Sequence, residues 1–364
     1  MYNLGISIYP SEDNLHKIKQ YINLAKKYNV SRVFTNFLGL DKTKEKLLEK
    51  ISEVCLYAKK MQMEVVVDVD PDLYNALNID VMDLSFFKKM GITTIRLDLG
   101  LGGFTEALLS NNDEGISIEI NASNPSLYLE NILSLQANSK KITASHNFYP
   151  QRWTGLDYEF FLKLSKKIKK HNIAISAFVA LDNKDTEGPW DVNEKLVTLE
   201  MHRDLPLDFQ VRHLMATGIV DNIIISTQYA SESDFKLLNN IISTNKLSIK
   251  VNVEENISSI EKKILFEHSH FVRCDISSYV VRSTIPRITY KNEKIIFKKV
   301  NKDFFEVGDI TILNDNYGRY KGELQIILQP IPNDGKRNLV AKLLSIENNL
   351  LKYLVSYREF KFIT

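Results

Sequence analysis

Two cysteines in 364 residues are too few for a disulfide-stapled scaffold. Cys55 and Cys274 also lie far apart with no Cys-x-x-Cys neighbour, which excludes a zinc knot or a dithiol redox motif; both read as small buried hydrophobes. No apolar run approaches the roughly 20 residues that cross a bilayer. Met1 to Pro10 lacks a basic leader, an apolar stretch and a small-residue cleavage site, so it reads as a first strand of a cytoplasmic protein and not as a secretory signal. Low-complexity tracts and internal repeats are missing too. Neither charge sign dominates: the formal net charge is +2, and acidic and basic residues interleave, as from Lys42 to Glu53. Such mixing marks solvated helix faces and implies neither a nucleic-acid nor a membrane partner.

What is present is the composition of a globular protein, 44% hydrophobic and 25% charged. The length suits a barrel of about 250 residues plus a domain of about 100. Short β-branched runs alternate with segments of helical period: Leu4 to Tyr9, Arg32 to Phe37, Val65 to Asp70, Thr93 to Leu99, Ile116 to Asn121, Ile142 to Asn147, Ile173 to Val179 and Asn222 to Thr227. Eight βα units predict a closed (β/α)₈ barrel over residues 1–244. Leu15, Ile18, Ile22, Ala25 and Tyr28 make one apolar stripe on the first helix, and Gly91 suits a helix C-cap. An unusually long connection runs from Leu181 to His213 through Thr186-Glu187-Gly188-Pro189-Trp190, a length that often covers a site. Beyond it the texture changes to short strands and turns such as Asn316-Tyr317-Gly318 and Asn333-Asp334-Gly335, interrupted by a helix near Ile257 to Phe266. This predicts a smaller β-rich domain over 245–364.

Catalytic groups of such barrels stand at the C-terminal ends of the strands. Strand alternation puts Asp68 and Asp70 on the face opposite Val65, Val67 and Val69. The same reading turns Arg96 and Asp98 inward on the fourth strand and Ser117, Glu119 and Asn121 inward on the fifth. Arg96 alone cannot neutralise four carboxylates, so at least one acid is expected to hold its proton beside an ionised partner, the pairing used by glycosidases. The first-choice pair is Asp98 and Glu119, with Asp68 and Asp70 next. Further along, His146 is placed to orient a hydroxyl or a catalytic acid, Arg152 to receive a phosphate or carboxylate, and Trp153 to stack on a pyranose ring. Gln228 ends the eighth strand, and the region after it, with Ser231 as a helix N-cap, is a common phosphate site in this fold. A pyridoxal-phosphate racemase shares this architecture, but it needs a Schiff-base lysine where this chain has Tyr9-Pro10-Ser11-Glu12, and no strand end offers one. A divalent-metal isomerase or phosphodiesterase would take Asp68, Asp98, Glu119 and His146 as ligands. A non-catalytic sugar-binding protein would leave the inward acids without a task.

Several segments together resemble one family. They are Gly5-Ile6-Ser7-Ile8-Tyr9-Pro10, Val33-Phe34-Thr35-Asn36, Val67-Asp68-Val69-Asp70-Pro71, Arg96-Leu97-Asp98, His146-Asn147-Phe148-Tyr149-Pro150 with Thr154-Gly155-Leu156, and Gly308-Asp309. The chain is similar over its whole length to the 6-phospho-N-acetylmuramidases. That resemblance implies a cyclophilin-like second domain and an intracellular hydrolase. Its substrate would be the β-1,4 bond of N-acetylmuramic acid 6-phosphate linked to N-acetylglucosamine, supplied during cell-wall recycling. No metal or organic cofactor would be needed, and a homodimer is left open. Direct attack and assistance by the substrate's acetamido group both use paired carboxylates. Tyr9, Asn36, Arg96, Asn121, His146, Asn147, Arg152, Trp153, Gln228 and Arg282 are the substrate contacts expected on this reading.

Overall fold

A computed structural model describes residues 2–11, 14–37, 45–182 and 186–364. Glu12 and Lys42, named above, lie outside the described residues. The chain forms two compact units, Met1–Thr244 and Asn245–Thr364.

In the first unit eight parallel strands close a barrel in sequence order. They are β1 (Asn3–Ser7), β2 (Arg32–Asn36), β3 (Glu64–Val69), β4 (Thr94–Leu97), β5 (Ser117–Asn121), β6 (Ile142–Ser145), β7 (Ala174–Val179) and β8 (Asn222–Ile225). Alternation decides what each strand does. Val65, Val67 and Val69 lie in the layer shared with the surrounding helices, and the helix Leu15–Lys27 adds Ile18, Tyr21, Ile22 and Ala25 to the same core. Each such fully buried aliphatic side chain contributes about 1.5–3 kcal/mol. Gly91 follows the helix Ser85–Lys89 with φ +85°, and its amide donates to the Lys88 carbonyl. A Cβ there would also press on the Leu56 backbone at 3.0 Å, so glycine is needed twice over.

The inward faces carry a small apolar cluster of Phe34, Val66, Phe178 and Ile224. Much of the remaining interior is polar, which departs from the aliphatic layers usual in this fold. Arg32 is 2% exposed and binds Glu64 at 2.9 Å and also Glu119. Arg96 sits between Asp68 at 2.7 Å and Asp98 at 2.9 Å. The barrel is thus threaded by two guanidinium groups, each spanning two carboxylates. Buried charges persist only when paired in this way.

The second unit is a seven-stranded sheet in the order β10-β17-β9-β16-β13-β14-β11 with a separate β12-β15 pair. Its strands are β9 (Leu247–Val253), β10 (His270–Phe271), β11 (Val280–Ser283), β12 (Phe304–Phe305), β13 (Asp309–Leu313), β14 (Leu324–Ile327), β15 (Ile331–Pro332), β16 (Arg337–Leu343) and β17 (Glu359–Ile363). The two edge strands approach one another: the Arg273 amide donates to the Arg282 carbonyl at 3.1 Å, and His270 Nδ1 lies 3.0 Å from Ser283 Oγ. The sheet therefore curls toward closure. A capping box of Ser258 and Glu261 starts the helix Ser259–Phe266. Cys55 is buried as expected, but Cys274 is exposed because it stands in the turn region after β10.

Candidate active site

The C-terminal mouth of the barrel holds a cleft lined by Phe34, Asp68, Arg96, Asp98, Asn147, Phe148, Phe178 and Trp190. One wall is charged and the other aromatic. Phe148 packs edge-on against Phe34 and Phe178 at 6.1 and 5.0 Å, and Trp190 lies 5.5 Å from Phe148. Trp190 comes from the long connection after β7, which thereby supplies part of the cleft. An apolar ring face beside fixed polar groups suits a pyranose, whose faces are apolar and whose edge is hydroxylated.

Arg96 organises the charged wall. Burial opposes its positive charge, yet Asp68, Asp98 and Glu119 outweigh that and hold it protonated. Its guanidinium also donates to the Asn147 side chain. Asp98 accepts a second bond from Asn121 Nδ2 at 3.0 Å, and Asn121 is itself anchored by the Ser123 amide at 2.8 Å. Asp68 is more enclosed. Burial pushes its carboxyl above the ordinary range, Arg96 opposes the rise, and Asp98 and Asp70 add to it. Two acids share one cation, and the deeper one is the better proton holder. Asn36, opposite Asp68 in register, has a buried Nδ2 with no protein partner among the described residues, a donor left for something else.

The remaining expected residues take other positions. Glu119 is fully buried beneath the cleft, where its carboxylate binds Arg32 and accepts from Thr143 Oγ1 at 3.2 Å; a proton donor needs access that this position lacks. The expectation that Arg96 faces four acids alone is corrected by Arg32. Asp70 caps the helix Pro71–Leu77 by accepting from the Asp72 amide. His146 points away from the barrel interior, since on β6 and its extension Thr143, Ser145 and Asn147 take the inward positions. Its Nε2 lies 2.9 Å from Ser165 Oγ and its ring 4.6 Å from Phe161, and burial lowers its pKa to about 3. The candidate metal set Asp68, Asp98, Glu119 and His146 therefore does not converge, and among the described residues no three His, Cys, Asp or Glu side chains form a metal cluster. Tyr9 donates to the Ser226 carbonyl at 2.6 Å and its amide to Gln228 Oε1, while Gln228 Nε2 reaches Glu187 at 2.8 Å; the pair ties β1, β8 and the long connection together. Arg152 is engaged by Asp204 through two bonds of 2.8 and 2.9 Å. Trp153 is 82% exposed and lies outside the cleft lining. Arg282, in the second unit, pairs with buried Glu323 at 2.9 Å.

Arg203 braces the rim. It is buried, pairs with Glu200, and donates to the carbonyls of Tyr149, Glu194 and Lys195. Glu200 in turn accepts from the Trp153 and Gly155 amides, and Arg203 together with those amides holds its carboxylate down at about 2 despite partial burial. The loops after β6 and β7 are thereby fixed to one another.

An inward pair of carboxylates on a shared guanidinium, facing an aromatic wall at the C-terminal end of a (β/α)₈ barrel, defines a sugar-processing enzyme of the glycosidase class. The comparisons make it specific. A family model described as "6-phospho-N-acetylmuramidase, N-terminal" matches residues 4–240, and one described as "6-phospho-N-acetylmuramidase, C-terminal" matches 247–363. The chain belongs to the 6-phospho-N-acetylmuramidase family, a family of glycosidases that act on a phosphorylated muramic acid sugar. It is similar to an uncharacterized B. cereus protein of known structure, at 40% identity and TM-score 0.91 with both chains covered completely. It is also similar to a conserved Enterococcus faecalis protein of unknown function, at 26% identity and TM-score 0.74, covering 100% of this chain and 96% of that one. A comparison with curated proteins finds no match. No described helix is long and apolar enough to cross a membrane.

Proposed function

We propose that the protein hydrolyses the β-1,4 bond between N-acetylmuramic acid 6-phosphate and N-acetylglucosamine, in the cytoplasm, as a step of cell-wall recycling. Asp68 is the proton donor. It protonates the bridging oxygen as the bond from that oxygen to the anomeric carbon breaks, N-acetylglucosamine leaves, water adds its hydroxyl to the anomeric carbon, and the water's other proton restores Asp68. Asp98 is the ionised partner, holding negative charge beside the oxocarbenium-like centre. The aromatic wall carries a sugar ring, and Asn36 and Asn147 offer amides to its hydroxyls. The single observation that carries this reading is the shared cation: Arg96 joins a half-buried carboxyl, held above the ordinary pKa range by desolvation, to a more exposed carboxylate within one cleft.

The test is release of N-acetylglucosamine from the phosphorylated disaccharide by Asp68→Asn and Asp98→Asn, with chelator present. Each variant is expected to lose at least about 10²-fold in kcat, the usual worth of a positioned acid or base. Near-normal turnover by Asp68→Asn would remove it as the donor. Activity of the parent enzyme that disappears with chelator would replace this scheme by a metal-assisted one.

A further inference from the structure

We propose that Arg32 and Glu119 are positioning residues for the hydrolysis: Arg32 occupies Glu119 so that Arg96 is left to hold Asp68 and Asp98. The inference rests on the reading of Asp68 and Asp98 as the working acids, and concerns what lies beneath them. Glu119 is the direct neighbour of Arg96 in strand register. It is fully buried, and its charge acts on Arg96. Its Oε2 is taken by Arg32 and Thr143, while its Oε1 is enclosed with no partner among the described residues. Arg96 Nε is likewise enclosed and unpartnered. A buried acceptor and a buried donor thus sit on adjacent strands without bonding each other. Of the two donors that hold the carboxylate to its own side, Arg32 and Thr143, only the Arg32 guanidinium is charged.

Without that guanidinium, Glu119 has one remaining strong donor within its layer of the barrel, the Nε edge of Arg96. Capturing it would draw Arg96 away from Asp68 and Asp98, and would place one more uncompensated negative charge under the proton donor. The charged and titratable groups around the acids are few. Asp68 faces Arg96 and Asp98 on β4 and its strand continuation, Asp70 beyond its own strand, and Tyr9 from β1. Asp98 acts on Tyr149 after β6; Arg96 acts on His146. Glu119 faces Arg32 from β2, which Glu64 of β3 also binds, and Arg96 from β4. Arg32 and Glu119 can be changed without touching a group that lines the cleft.

The signs are opposite for the two residues. A proton donor loses activity as pH rises through its pKa, and added negative charge nearby moves that pKa up. Arg32→Gln should therefore move the alkaline limb of the kcat/KM profile to higher pH and lower kcat by at least about tenfold through misplacement of Arg96. Glu119→Gln should move the limb to lower pH while keeping kcat at the optimum within about tenfold. The double variant should return the limb to near its original place. Arg32→Lys, which keeps the charge but not the planar fork, should leave the limb in place.

The limb positions are measured on the phosphorylated disaccharide with all four proteins checked for folding by circular dichroism. Opposite shifts that cancel in the double variant support the inference. Limbs that do not move, or that move together, overturn it. Should Arg32→Gln fail to fold, Glu119→Gln decides alone: a downward limb shift supports the inference, and an unmoved limb or a kcat loss of about 10²-fold or more overturns it. Failure of the underlying reading has a separate signature, full activity of Asp68→Asn, which none of these shifts reproduces.

Discussion

Trp190 stands 44% exposed at the lip of the cleft, with Phe148 as its one ring partner among the described residues. Holding a large aromatic half in water is unfavourable for the free protein, so its contribution falls on bound sugar. Trp190→Ala should raise KM for the disaccharide by roughly tenfold with a smaller change in kcat, since stacking is worth about 0.5–1.5 kcal/mol beyond the area covered. Steady-state kinetics check this; an unchanged KM would take Trp190 out of the binding wall. The same position illustrates what a sequence conceals. Length alone singled out the connection from Leu181 to His213, but nothing local tells that the indole of residue 190 meets Phe148. By contrast, Asp68, Arg96 and Asp98 were legible from a period of two against an all-valine face. His146 was legible too, had alternation been applied beyond the strand's end: counting from Thr143 sends it outward with Ala144. Arg32 was missed for another reason. It stands at the start of its strand, and reading strand ends overlooks a long side chain that runs up the barrel interior.

At the scale of elements, the turn after β4 shows how the acid wall is kept in place. Gly100, Gly102 and Gly103 adopt φ of +75°, +96° and +89°, conformations open chiefly to glycine, and they return the chain sharply after Asp98. Buried Glu106 clasps this turn by accepting from the amides of Leu101 and Gly103 and from the Tyr128 hydroxyl. Glu106→Gln would turn a side-chain donor toward a backbone donor and should destabilise the protein by about 1–3 kcal/mol, the usual cost of one buried unsatisfied group. A urea titration reads that loss; a midpoint equal to the parent's would mean that the turn holds itself. Element order in the first unit was readable because each strand is a compact β-branched run. The strand order of the second unit was not, because β10 and β11, close in sequence, stand at opposite ends of the sheet and meet through contacts that no local pattern carries.

Across the molecule, buried histidines link stability to acidity. Burial depresses His146 to about 3 and His270 to about 4, and His202, hydrogen-bonded edge-on to His213 at 2.8 Å between ring nitrogens, falls well below its ordinary value. A depressed histidine contributes stability that is present above the unfolded value of 6.5 and lost as pH falls toward the folded one. Stability should therefore drop between pH 6.5 and about 4 by up to about 1.4 kcal/mol per pH unit for each group. Urea midpoints at a series of pH values measure it, and a flat response would show that these rings are not neutral in the folded chain.

The paired guanidiniums have one more consequence, for dissection of the enzyme. Arg32 on the second strand finds Glu119 on the fifth, and Arg96 on the fourth finds Asn147 after the sixth. A cut after the fourth strand would leave Arg32 with Glu64 on one fragment and Glu119 without its cation on the other, a carboxylate desolvated wherever that fragment collapsed. Split-protein reporters and half-barrel recombination, which succeed where each half closes its own polar ledger, should fail on this scaffold unless both fragments are made together.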